Sequence, residues 1–398
     1  MNLFACQHCG QPLYFENTHC ASCERRLGYL PHRHTVTALE REGRAWRPLA
    51  SPGESVRFCA NADYKACNWL IPAASPDRFC IACRHNRIIP DLSSPRSWER
   101  WRRLEVAKRR LFYTLLRLRL PLTGAAEDPE GLVFDFLADP AEETGHGPTV
   151  LTGHANGLIT LNIAEADDVE RERQRSAMGE PYRTLLGHFR HEIAHYYWNV
   201  LVHDDPCLAR FRQVFGDERQ DYGAALGRHY ANGPPASWAA SFVSAYASAH
   251  PWEDFAETWA HYLHIVDTLE TANAFGMRVK PQLGADGLGP APMVELAARI
   301  DFDPHENGEL GRLIEAWLPL TFAVNSLNRS MGQPDLYPFV LSPTVIGKLG
   351  FVHERIHAGR GGHIHEAALS DDVLKAVIAS LRYRVAAPGA DWEKAPLS

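Results

Sequence analysis

The sequence predicts an α+β chain, mostly helical, with a small metal-stapled domain at its N-terminus. Three observations carry this reading. Eight of the nine cysteines fall within the first 83 residues, several of them in pairs with two residues between. After them, only 131–137 and 157–163 read as strands, bounded by turn-forming residues. Most of the remaining chain carries apolar residues at helical spacing.

The composition is that of a soluble globular protein, with 45% hydrophobic and 22% charged residues. At 398 residues the chain is long enough for two or three folded units. A net charge of −7 gives no general electrostatic case for nucleic-acid binding. The N-terminus shows no basic segment followed by an apolar run, and no 18-residue apolar stretch occurs. The expected location is therefore the cytoplasm, with no membrane partner.

Residues 1–90 are rich in Cys, Pro and Gly and have little periodicity. Clustered cysteines in a reducing compartment point to metal ligation rather than disulfides. Cys6 and Cys9, then Cys20 and Cys23, form two knuckles with ten residues between them. Such knuckles close four thiolates tetrahedrally around Zn²⁺. Cys59, Cys67, Cys80 and Cys83 form a second, looser quartet, and an interleaved pairing of the eight also satisfies the spacing. One or two structural zinc ions are expected. Cys207 stands apart and reads as a buried structural thiol.

Residues 91–121 read as a basic linker helix from Pro95 to about Leu120. Ser94 is a suitable N-cap and Pro95 a suitable first helical residue. Trp101, Leu104, Leu111, Leu115 and Leu118 form the apolar stripe. Nine cations, Arg96, Arg100, Arg102, Arg103, Lys108, Arg109, Arg110, Arg117 and Arg119, face only Glu99 and Glu105. They suit a solvated helix that pairs with acids elsewhere on the chain. With Trp98 and Trp101 they also suit a grip on nucleic acid or an acidic partner.

Residues 122–275 carry the chemistry. In the second strand, Ile159, Leu161 and Ile163 share one face, opposite Thr160 and Asn162. A helix over 181–198 holds His191-Glu192-Ile193-Ala194-His195. Its histidines sit one turn apart on one face and can share a Zn²⁺, with Glu192 placed to act on a water there. Chance alone gives such a pentad on the order of once in twenty in a chain of this composition, so it needs support. Further helices are expected at about 206–230, 237–248 and 252–275. On the last, Glu253 can supply the third ligand, with Asp254 and His250 as rivals. Glu257, at i+4, can accept an N–H from a ligand histidine and fix its tautomer. Tyr246 can reach a developing oxyanion. His261 and His264 read as packing residues, and His188 as an ordinary helix residue.

Residues 276–398 form a helical C-terminal region, with a loop over 284–292 and helix over most of 308–385. A second pentad, His353-Glu-Arg-Ile-His357, is followed by His363. His363 stands at the spacing of the third histidine in the metzincin peptidases, but that pattern wants Gly where Arg360 stands and a methionine turn downstream, and the last methionine is Met331. This second pentad reads as a surface helix end.

The pentad, the later Glu-x-x-x-Glu helix and the upstream tyrosine together resemble the glutamate-ligand zincins (gluzincins). The whole chain resembles a bacterial family of zinc-binding metallopeptidases with an N-terminal zinc ribbon. Segments 191–198, 216–223, 251–262 and 325–339 carry this resemblance. It implies a double zinc-ribbon domain (1–90), the linker helix (91–121), a zincin-like metallopeptidase core (122–275) and the helical region (276–398). It implies one catalytic zinc on His191, His195 and Glu253, with Glu192 as general base and Tyr246 on the oxyanion. The substrate would be a peptide or protein in extended conformation, paired on the strand at 157–163 as the edge strand. The same chemistry serves an isopeptide or another amide. The other class of function is a zinc-ribbon module binding nucleic acid or protein, with an inactive or secondary peptidase domain.

Overall fold

A computed structural model describes residues 1–140, 150–178, 184–202, 206–281 and 297–358. The chain divides into two compact units. Residues 1–179 and 183–196 make the first, and 180–182 with 197–398 the second. The division falls inside one helix.

In the first unit, β1 (Phe4–Ala5) and β2 (Pro12–Leu13) form a small ribbon. Five antiparallel strands follow in the order β3 (Leu27–Leu30), β4 (Thr35–Glu42), β5 (Ala45–Pro48), β6 (Val56–Phe58) and β7 (Leu70–Pro72). Helix α1 (Pro95–Arg117) starts where expected, with the Ser94 hydroxyl accepting from the Ser97 amide at 3.3 Å. All five stripe residues are buried. The helix packs into the core of this unit.

Several of its cations are turned to partners within the same unit. Arg100 reaches Asp167 at 2.7 Å, Lys108 reaches Glu105 at 2.7 Å, and Arg110 reaches Glu16 at 2.6 Å. Arg103 donates to the Ala166 carbonyl, and Arg109 to that of Ala66. The acids offered by the chain itself therefore take up much of this charge.

A second sheet runs in the order β10 (Gly153–Ala155), β11 (Leu158–Asn162), β9 (Val133–Leu137), β8 (Asn86–Ile88). β11 is parallel to β9 and antiparallel to β10. The strand expected at the edge, 157–163, is thus interior, and β10 is the edge. The two-residue Asn156-Gly157 loop explains this: both residues have positive φ, +46° and +81°, as a tight hairpin turn requires. Phe134 of β9 packs against Phe112 of α1 at 6.0 Å and against Phe189 at 5.9 Å. After a 3-10 turn (Ile163–Ala166) come α2 (Asp168–Met178) and α3 (Leu185–Leu201). α3 carries the first pentad.

The second unit holds α4 (Cys207–Phe215), α5 (Tyr222–Asn232), α6 (Pro251–Ala274), the short pair β12 (Arg278–Val279) and β13 (Ala298–Arg299), α7 (Leu310–Ser330) and α8 (Pro343–Ala358). The helix expected over 206–230 is two helices, because Asp221 caps a new one by accepting from the Ala224 amide. The expected 237–248 helix is two 3-10 turns, Trp238–Ala240 and Tyr246–Ser248. Phe211, Phe215, Phe255 and Phe351 form an aromatic core with centroids 5.0–6.0 Å apart. Cys207 is only half-buried, at the start of α4. The loop 284–292 and the chain beyond Ala358 lie outside the described residues. Among the described residues, no helix is long and apolar enough to cross a membrane.

Candidate active site

Eight cysteines form two separate quartets, so the pairing is not interleaved. The donors of Cys6, Cys9, Cys20 and Cys23 lie within 4.8 Å of one another, as do those of Cys59, Cys67, Cys80 and Cys83. Each is a closed four-thiolate set of the kind structural zinc takes. The second quartet is fully buried, with Glu105, Lys108 and Arg109 of α1 beside it. The two cations offset the charge of four thiolates.

In the first unit, α3 presents His191 and His195 with ring centroids 5.2 Å apart. His191 and Glu192 are buried. His154 of the edge strand β10 stacks over His195 at 6.0 Å. Burial, with His195 beside it, lowers the His154 pKa to about 4. The neutral ring accepts from the Gly157 amide at 3.0 Å, which ties it to the hairpin turn. Sequence reasoning missed His154; its signal was the Asn-Gly turn immediately after it. His188 is more than an ordinary helix residue. Its Nδ1 lies 2.5 Å from Glu165, which also accepts from the Thr152 hydroxyl at 2.5 Å. This pair ties α3 to the approach to β10.

In the second unit, α6 presents a buried Glu253. The Tyr222 hydroxyl donates to its Oε1 at 2.7 Å. Tyr222 lay inside one of the segments carrying the family resemblance, without a role of its own. Both rival ligands are engaged elsewhere. His250 caps α6, accepting from the Trp252 amide at Nδ1 (3.1 Å), so Nε2 donates to the Gln220 carbonyl at 3.2 Å. Asp254 pairs with Lys348 at 2.6 Å, and burial raises its pKa to about 7. Glu257 accepts from the Ser244 hydroxyl at 2.6 Å. Tyr246 stands at the start of its 3-10 turn, where burial, then the charge of Glu253, holds its phenol protonated well above the usual range.

His261 and His264 pack, as expected, against Tyr337, the first through a 2.8 Å hydrogen bond. The second pentad is not a surface helix end. His353 and His357 are buried on α8, and Tyr262 of α6 bridges them at 2.9 and 3.3 Å. Helical periodicity alone does not reveal that α8 turns this face to α6. His363 lies outside the described residues.

A family described as "Putative zinc-binding metallo-peptidase" matches residues 97–355. The chain belongs to that family. A zinc-ribbon domain matches residues 3–94. An uncharacterized protein of Mycobacterium bovis and two of Mycobacterium tuberculosis are each 42% identical to it over 355 residues, covering 89% of this chain and 94% of theirs. No solved structure matches. The family match spans both α3 and α6.

Proposed function

We propose that this chain is a glutamate-ligand zinc metallopeptidase in which His191, His195 and Glu253 hold the ion. The observation that carries the reading is the seating of the last turn of α3 on α6 in the second unit. Trp198 packs on Trp252 at 5.6 Å, and Tyr197 stacks on Trp259 at 5.1 Å. His191, His195 and Trp198 fall at i, i+4 and i+7, one face of one helix. The face that meets Trp252 is therefore the face of the two histidines, and Glu253 is the next residue. Two imidazoles and one carboxylate are the donor types of a zinc centre that keeps a position for water.

Zn²⁺ held there would lower the pKa of a water to about 7 and polarise a substrate carbonyl. Glu192 takes the proton of the attacking water and passes it to the departing nitrogen. The protonated Tyr246 donates to the oxyanion as it develops. Tyr222 orients Glu253, and Glu257 orients a ligand histidine. An extended peptide pairs with the outer edge of β10, which His154 places beside His195. The substrate bond is a peptide or isopeptide amide, and the two cysteine quartets hold one structural zinc each.

The test is cleavage of a peptide library by the full-length, zinc-loaded protein and by Glu192→Gln. The expected result is retained zinc with a rate about 10²–10⁴-fold lower in the variant. Equal cleavage by both proteins would remove Glu192 from the mechanism.

A further inference from the structure

The C-terminal half of α6 carries a second mixed set of metal-type donors, at the opposite end from Glu253. Asp267 and Glu270 sit at i and i+3 on the helix, and His305 lies between β13 and α7. All three are buried, His305 completely. One donor atom from each falls within 4.8 Å of the other two. Donors bonded to one ion at about 2.1 Å sit about 3–4 Å apart, so this cluster is close to closing.

His305 Nε2 lies 3.2 Å from Asp267 Oδ1, while Nδ1 lies 3.6 Å from Glu270 and 3.7 Å from Asp303. Asp303 also accepts the His305 amide at 3.0 Å, which fixes the turn that points the ring inward. Whichever ring nitrogen takes an ion, the other faces a carboxylate, the arrangement that orients a metal-bound histidine. Two carboxylates buried side by side need positive charge between them. An imidazolium supplies one unit, and a divalent ion supplies two while leaving the ring neutral.

We propose that Asp267, Glu270 and His305 hold a divalent first-row cation, Zn²⁺ or Mn²⁺, that fastens residues 300–309 to α6. One imidazole with two carboxylates is a donor set both ions accept. The ion is structural in position and separate from the His191, His195 and Glu253 set, so it stands whether or not the chain is a peptidase.

Ions per chain, counted by mass spectrometry after loading with Zn²⁺ or Mn²⁺ and desalting, test the proposal. Full-length wild type, Asp267→Asn, Glu270→Gln and the His191→Ala/His195→Ala double variant are compared. Each of the two single variants is expected to lose one ion relative to wild type, while the double variant keeps that ion and loses a different one. Should the single variants not fold, Mn²⁺ titration of the double variant, followed by electron paramagnetic resonance, replaces them. One equivalent should vanish from the free-ion signal. An unchanged count in folded Glu270→Gln, or no bound Mn²⁺ and no zinc beyond the cysteine quartets in the double variant, overturns the proposal and leaves His305 as an imidazolium clamped by carboxylates.

Discussion

Glu253 is set apart from its neighbours by what each side chain already touches. Asp254 has Lys348, and His250 spends both ring nitrogens on the start of α6 and on Gln220. Glu253 instead receives the hydroxyl of Tyr222 at 2.7 Å, a contact that fixes one carboxylate oxygen. Tyr222→Phe removes that donor with little loss of packing, since the side chain is 38% exposed. We expect it to weaken zinc binding at this centre about 10–100-fold with the thermal transition unchanged. Competition with a chromophoric chelator reads the affinity, and an affinity equal to wild type would deny Tyr222 its orienting role.

Under the proposed function, the hairpin of β10 and β11 is the element that would decide where a substrate strand lies. Gly157 has φ +81°, and a Cβ there would meet the Glu130 carbonyl oxygen at 2.1 Å. Gly233 has a similar φ, +73°, but open space around it. Both substitutions to alanine incur left-handed strain of about 1–3 kcal/mol. Gly157→Ala adds a backbone clash and is expected to destabilise clearly more than Gly233→Ala in urea unfolding. Equal losses would mean the turn relaxes freely. The hairpin also explains the misplaced edge. Thr160 and Asn162 alternate with apolar residues as a half-buried strand does, and that pattern is the same with or without a neighbour beyond it. Only the Asn-Gly pair announced β10, and β10 itself, Gly-His-Ala, is too short and too poor in β-branched residues to be read as a strand.

At the scale of the whole molecule, the first unit depends on its cysteines. Each quartet holding zinc would contribute roughly 10–16 kcal/mol of apparent binding free energy to folding. Its two sites differ in access: Cys9 is exposed and Cys23 half-buried, while all four residues of the second quartet are buried. Chelation should therefore release thiols in two phases, four from residues 6–23 first and four from residues 59–83 later, with a fall in Tm. Thiol titration during chelation checks this, and a single phase of eight would show that the quartets open together. The sequence by itself determined what is local: the Cys-x-x-Cys knuckles, the Ser94-Pro95 helix start, the apolar stripe of α1, and a pentad whose helical spacing puts two imidazoles on one face. Spacing along ten or twenty residues is enough for each of these, because the backbone geometry is fixed by neighbours in the chain. Tertiary structure alone decided which acids partner Arg100, Lys108 and Arg110 of α1, how deeply α1 is buried, that His353 and His357 are buried against Tyr262, and that Asp267 and Glu270 meet His305. Those outcomes depend on residues tens of positions apart, where burial and pairing, not periodicity, set the energy.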